Sequence, residues 1–158
     1  MLFSAFRGQY IITMQLSDKW FTALSENEDG SYTFISGRSD IDDFIAQGKM
    51  KERIEVTWHY EADEKGMPAI DKEAQIMEAV EERLRTAMEK DKLAILTGIY
   101  TGQGKREWIF IARNTAAFGE RLNDALAGLP QLPIEIYAEK DPENEEYKSL
   151  LEIRGEED

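Results

Sequence analysis

Gly102-Gln103-Gly104-Lys105 is the stretch that comes nearest to a chemical motif, because glycines beside a lysine can cradle a phosphate. A phosphate loop needs G-x-x-x-x-G-K-[S/T] leading into a helix whose amides face the anion. Here Lys105 leads into Arg106 and a β-prone run, so the four residues are expected to be a plain turn. His59 is the sole histidine, which rules out a histidine-built metal site and any two-histidine mechanism. No serine lies in G-x-S-x-G, and Glu55 and His59 on one strand are about 13 Å apart, too far to touch. Counting a calcium loop from Ser25 puts Gly30 correctly at the sixth place, but Ser36 stands where the bidentate glutamate belongs. Asp40, Asp42 and Asp43 are read as solvated residues at a helix start rather than an acid/base pair. There is no cysteine, hence no disulfide, thiolate nucleophile or cysteine-ligated metal. No catalytic constellation, metal site or cofactor motif is expected.

Charge narrows the partners. Acidic residues number 32 against 19 basic ones, a formal net charge of -13. Nucleic-acid binding relies on lysine and arginine displacing counterions from phosphates, so this balance argues against it and for a protein partner, most naturally a basic one. The segment MLFSAFRGQYIIT interrupts its apolar residues with Arg7 and Gly8-Gln9, unlike a signal peptide, and no run reaches membrane-spanning length. A cytoplasmic protein is expected. Residues 1–13 are read as an N-terminal extension ahead of Met14, and residues 14–158 as a single α+β domain.

The elements that must position any site follow from periodicity. Trp20 to Leu24 and Tyr32 to Ile35 form a hairpin around a turn-prone Ser25 to Gly30. Ser39 is expected to cap a short helix with Ile41, Phe44 and Ile45 inward, stopped by Gly48. Arg53 to Tyr60 alternates with period two. Asp71 is expected to cap a long helix to about Asp91 that buries Ile76, Met77, Val80, Leu84, Ala87 and Met88, with Glu73, Glu78, Glu81, Glu82 and Glu89 facing water. Leu93 to Asn114 is the clearest hairpin; a helix capped at Asn114 or Thr115, a strand from Leu132 to Glu139 with Pro133 suited to an edge, and a C-terminal helix after Asp141-Pro142 complete the chain. Residues 53–139 thus read as a β-α-β-β-α-β unit, a ferredoxin-like antiparallel sheet, to which the N-terminal hairpin and short helix are added.

Within the central hairpin, Thr101 should face Arg106, Ile99 face Trp108 and Thr97 face Phe110. The aliphatic set Leu96, Gly98, Ile109 and Ile111 is assigned to the core with Ile54, Val56, Trp58 and Tyr60. That leaves Glu55, Thr57, His59, Arg106, Trp108, Phe110, Glu135 and Tyr137 on the opposite face. Such an aromatic surface calls for a cover. The N-terminal hairpin folded back over it, a second copy in a homodimer, or a partner protein would each serve. The candidate binding residues are therefore Glu55, His59, Arg106, Trp108, Phe110 and Tyr137.

The run Tyr100-Thr101-Gly102-Gln103-Gly104-Lys105-Arg106-Glu107-Trp108-Ile109-Phe110, with Gly66-Met67-Pro68 before it and Pro133-Ile134, Asp141-Pro142 and Tyr147 after it, resembles the family called domain of unknown function 695. The resemblance covers roughly residues 53 to 150 and implies no catalytic residues. It implies a fold similar to that of the ribonuclease E inhibitor B proteins, acidic domains that bind a protein and not RNA. The expected function is an acidic protein-binding or regulatory module working through a sheet face. Two alternatives stand beside it: a small enzyme with a cleft near Glu55, His59 and Arg106, and an immunity-type inhibitor of a basic toxin.

Overall fold

The computed structural model describes residues 15–154. The extension expected at residues 1–13 lies outside them. In chain order the described elements are β1 (Lys19–Glu26), β2 (Tyr32–Ser39), α1 (Asp42–Ala46), β3 (Glu52–His59), α2 (Asp71–Glu89), β4 (Ala94–Gly102), β5 (Lys105–Ala112), α3 (Thr115–Ala125), β6 (Ile134–Lys140) and α4 (Glu145–Arg154). The strands form one open sheet in the order β1-β2-β4-β5-β3-β6, and each neighbouring pair is antiparallel. None of the described helices is long and apolar enough to cross a membrane.

Local chemistry accounts for the joints. Gln103 and Gly104 both have positive φ, 54° and 82°, the conformation a two-residue hairpin turn requires for its twist to match the strands. Asn114 caps α3, its side chain accepting from the Ala117 amide at 2.7 Å. Asp141 does the same for α4, taking the amides of Glu145 and Glu146. Asn144 sits at φ 53° and donates to the Met50 carbonyl, a buried left-handed position that suits asparagine. Ser39, expected as a cap, is instead the last residue of β2, and Ile41 precedes α1. Ile76 is 40% exposed rather than buried, because the inward stripe of α2 is Met77, Val80, Leu84 and Met88.

The N-terminal hairpin does not fold over the sheet. β2 pairs with β4, from Phe34 opposite Thr101 to Gly37 opposite Gly98, so the hairpin lengthens the sheet by two strands. Past Gly98 that pairing stops, since β4 carries a bulge between Leu96 and Gly98. The bulge explains why Leu96 rather than Thr97 stands opposite Phe110. It leaves backbone groups without ladder partners, and side chains supply them. Arg38 donates Nη1 to the Leu96 carbonyl at 2.9 Å, the Leu96 amide donates to Glu89 Oε2 at 2.9 Å, and Thr97 Oγ1 donates to the Ile109 carbonyl. Arg38, only 1% exposed, also pairs with Glu89 at 2.7 Å and donates Nε to the Ser17 carbonyl.

The two faces of the sheet are both covered, though unequally. On the first, α2 and α3 close over Ile54, Val56, Trp58, Leu96, Trp108 and Phe110. On the second, α1 and α4 bring Ile41, Phe44, Tyr147 and Leu150 onto Ile35, Ile95 and Ile111. Gly37 and Gly98 leave the second face bare where these groups settle: a Cβ on Gly37 would overlap the Phe21 ring, and one on Gly98 would meet Leu150 at 2.9 Å.

The expected division of the faces of β5 is thereby reversed, while Leu96, assigned to the core with Ile54 and Val56, is found there. Val56 pairs with Trp108 and Ile54 with Phe110, and cross-strand partners share a face, so Trp108 and Phe110 belong to the helix-covered core while Ile109 and Ile111 face the other way. Both alternating sets of β5 are apolar, so hydrophobicity could not choose between them. The tryptophans can be buried because α2 offers acceptors: Trp58 Nε1 donates to Glu73 at 3.1 Å and Trp108 Nε1 to Glu81 at 2.7 Å. With Glu89, three of the five glutamates assigned to water turn inward at eight-residue intervals.

Replacing Arg38 tests the bulge's dependence on side chains. Arg38→Met removes the closest cation from the half-buried Glu89, leaving it only Arg85 at 3.7 Å, and should lower the unfolding free energy by about 3 kcal/mol. In urea titrations, adding Glu89→Met should restore only part of this, because the Leu96 amide and carbonyl remain unsatisfied.

Candidate functional site

The six residues expected to form one surface separate onto two. Arg106 is opposite both Trp58 and Thr101, on the helix-covered face, and donates Nε to Thr101 Oγ1 at 3.0 Å. Trp108 is 0% exposed and Phe110 is packed edge-on against Phe118 of α3, so neither reaches the surface. Glu55, His59 and Tyr137 lie on the second face, Glu55 directly opposite Tyr137 across β3 and β6. Arg106 and His59 are thus divided by the thickness of the sheet, and the cleft expected to join Glu55, His59 and Arg106 is not formed.

What the second face does assemble is a partly uncovered polar field. The cover ends where α4 begins: Ile109 and Ile111 of β5 are buried, while Glu107 next along that face is half-buried. Glu107 stands opposite Tyr100 on one side and Thr57 on the other. Arg53 is opposite Glu139 on β6. Four residues the sequence reading passed over therefore join Glu55 and Tyr137: Arg53, Glu107, Glu139 and, from α4, Glu146. Cross-strand register places Arg53, Glu107 and Glu139 on this face, and the packing of α4 brings Glu146 to them.

Arg53 is the hub. Its Nη1 donates to Glu55 and to Glu146 Oε1 at 3.1 Å, its Nη2 pairs with Glu139 Oε2 at 2.8 Å, and its guanidinium lies 5.9 Å from the Tyr137 ring centre. Glu107 has a looser partner in Lys105 at 3.7 Å. His59 lies farther out along β3, 3.6 Å from Glu135, with both side chains well exposed.

The electrostatics record the crowding. Burial raises the Glu55 carboxyl above its ordinary value; Arg53 opposes this, and the nearby carboxylates Glu107, Glu146 and Glu139 add to it. Tyr100, beside them, is pushed up to about 12, first by burial and then by Glu146, Glu107 and Glu55. Glu139, by contrast, is lowered by the Tyr137 hydroxyl and by Arg53. The field can receive an ammonium or guanidinium group, which would relieve the repulsion that one arginine leaves. Among the described residues no group of three or more His, Cys, Asp or Glu side chains is arranged to hold a metal ion.

The protein is thus an α+β protein built on an open antiparallel sheet with helices on both faces and an acidic field on the less covered one. Residues 18–152 match the family of unknown function DUF695, and the chain belongs to that family. No curated protein and no solved structure matches it.

Glu55 should cost the folded state stability when charged. A carboxyl raised in the fold holds its proton more tightly there than in the unfolded chain, so its penalty grows as pH rises from 4.5 through the raised value. Glu55→Gln should therefore raise Tm at pH 7, and the gain should vanish below about pH 4.5 in a series of thermal melts.

Proposed function

We propose that this protein is a protein-binding or regulatory module, whose acidic field on the second sheet face takes a basic segment of a partner protein. The observation that supports it is the state of Glu55: a half-buried carboxylate with its pKa raised, held by one arginine that it shares with Glu139 and Glu146. Destabilising charge of this kind is retained where it does work for binding. The net charge of -13 favours the same class of partner and disfavours nucleic acid. Tyr137, 54% exposed beside the cluster, adds a flat ring of the sort enriched in protein interfaces. We also assign β3-α2-β4-β5-α3-β6 to the ferredoxin-like class, on the strand order β4-β5-β3-β6 and the two helices that share one face. On this reading the protein works in the cytoplasm on a basic protein.

Trp108 and Phe110 are unsuitable probes of this site, because changing either disrupts the core. The test is affinity capture with wild type and with the Glu55→Gln/Glu107→Gln double variant. Wild type should recover a partner whose yield collapses at 1 M salt, where the Debye length is about 3 Å. The double variant should bind it at least about tenfold more weakly, a loss of about 1.4 kcal/mol. Equal recovery by both proteins overturns the proposal.

A further inference from the structure

β6 closes one end of the sheet, and the direction of its backbone groups can be worked out. The His59 amide donates to the Pro133 carbonyl, and the Asp141 amide donates to the Lys51 carbonyl. Both pairs fit the β3–β6 register, in which Glu55 faces Tyr137 and Arg53 faces Glu139. In an antiparallel ladder such hydrogen-bonded pairs alternate with pairs whose groups point away. Glu135, Tyr137 and Glu139 therefore direct their backbone groups at β3, whereas Ile136 and Ala138 direct theirs outward. Among the described residues no strand lies beyond them.

An exposed edge of this kind is usually blunted by a proline, a bulge or an inward-pointing charge. Between Ile134 and Ala138 β6 has no proline or lysine, and its pairing with β3 runs without a register shift. Pro133 lies just before the strand, and Lys140, at its last position, pairs with Glu52. The side chains along the edge also sort by face. On the helix side Ile136 is 45% exposed, flanked by Ile134 and Ala138, which pack on the core. On the other side stand Glu135, Tyr137 and Glu139, next to the Arg53 and Glu55 cluster.

We propose that the partner's basic segment binds as an added β-strand along β6, with basic residues on the acidic side alternating with apolar residues beside Ile136. This rests on the proposed role of the acidic field and names how its occupant is held. Backbone bonds to Ile136 and Ala138 supply affinity that does not depend on sequence, and the alternation supplies selectivity. The opposite edge, β1, lacks this pairing of surfaces: Lys19 lies along it, and Arg154 stands beside Phe21.

The test uses the full chain and two fluorescent peptides of equal composition, one alternating lysine and valine and one with the lysines and valines in separate blocks. Wild type should bind the alternating peptide at least about tenfold more tightly, a difference of about 1.4 kcal/mol. Ile136→Pro removes an outward donor and no bond to β3, so it should abolish that preference. Ala138→Pro serves if circular dichroism shows Ile136→Pro unfolded. Hydrogen exchange needs no variant: the Ile136 and Ala138 amides should exchange freely in the protein alone and be slowed by the alternating peptide. Equal binding of the two peptides, both lost in Glu55→Gln/Glu107→Gln, overturns strand addition and leaves the acidic field as receptor. Protection of both amides without peptide also overturns it, because the edge is then already occupied by another part of the chain or by a second copy. Failure of both peptides to bind wild type overturns the two proposals together.

Discussion

The ion pair between Arg38 and Glu89 holds the architecture where β4 breaks register. β4 must pair with β5 along its length and with β2 along only part of it, and the bulge at Leu96 to Gly98 is where those demands conflict. A strand that breaks register inside a sheet leaves buried amides and carbonyls unpaired, and each is costly unless something else bonds it. Arg38 from β2 and Glu89 from α2 meet there, bond to the two orphaned groups of Leu96 and neutralise each other. The ion pair thereby links the N-terminal hairpin, the long helix and the central strand. Trp20, with Arg38 on one ring contact and Arg85 on another, extends the junction to the surface.

The rest of α2 follows the same logic. A helix over two buried tryptophans must satisfy two indole donors, and Glu73 and Glu81 do so while Met77, Val80 and Leu84 fill the space between. These glutamates have apolar surroundings on one side and solvent on the other, so the helix stays amphipathic in composition while its polar edge contributes to the core. Among the described residues the second face has no comparable helix. α1 and α4 are short, and they cover the end of the sheet that Gly37 and Gly98 make flat, leaving the far end of β3, β5 and β6 to charged side chains.

The family assignment says what the chain is related to, and the proposed binding role rests on the acidic field. Arg53 is nearly enclosed by carboxylates, yet it does not suffice to lower Glu55. Such an imbalance between one guanidinium and its neighbours is a feature of the assembled sheet. The residues come from β3, β5, β6 and α4, which are separated by up to 93 positions in the chain.

Much was legible without coordinates. Period-two alternation in β3, β-prone runs between turn signals elsewhere and helical spacing pointed to the six described strands and the helices, because these signals are imposed locally by backbone geometry. The turn at Gln103-Gly104 and the cap at Asn114 were equally local, and so was the absence of a phosphate loop. Three things depended on tertiary structure alone. The faces of β5 could not be chosen while Trp108 and Phe110 were as apolar as Ile109 and Ile111; the partner strand's register decided them. The N-terminal hairpin could extend the sheet or cover it with the same sequence, and pairing of β2 with β4 settled the matter. The inward turn of Glu73, Glu81 and Glu89 required donors from distant strands. Local spacing determines which residues can share a face, but only contacts between distant strands determine which face is buried.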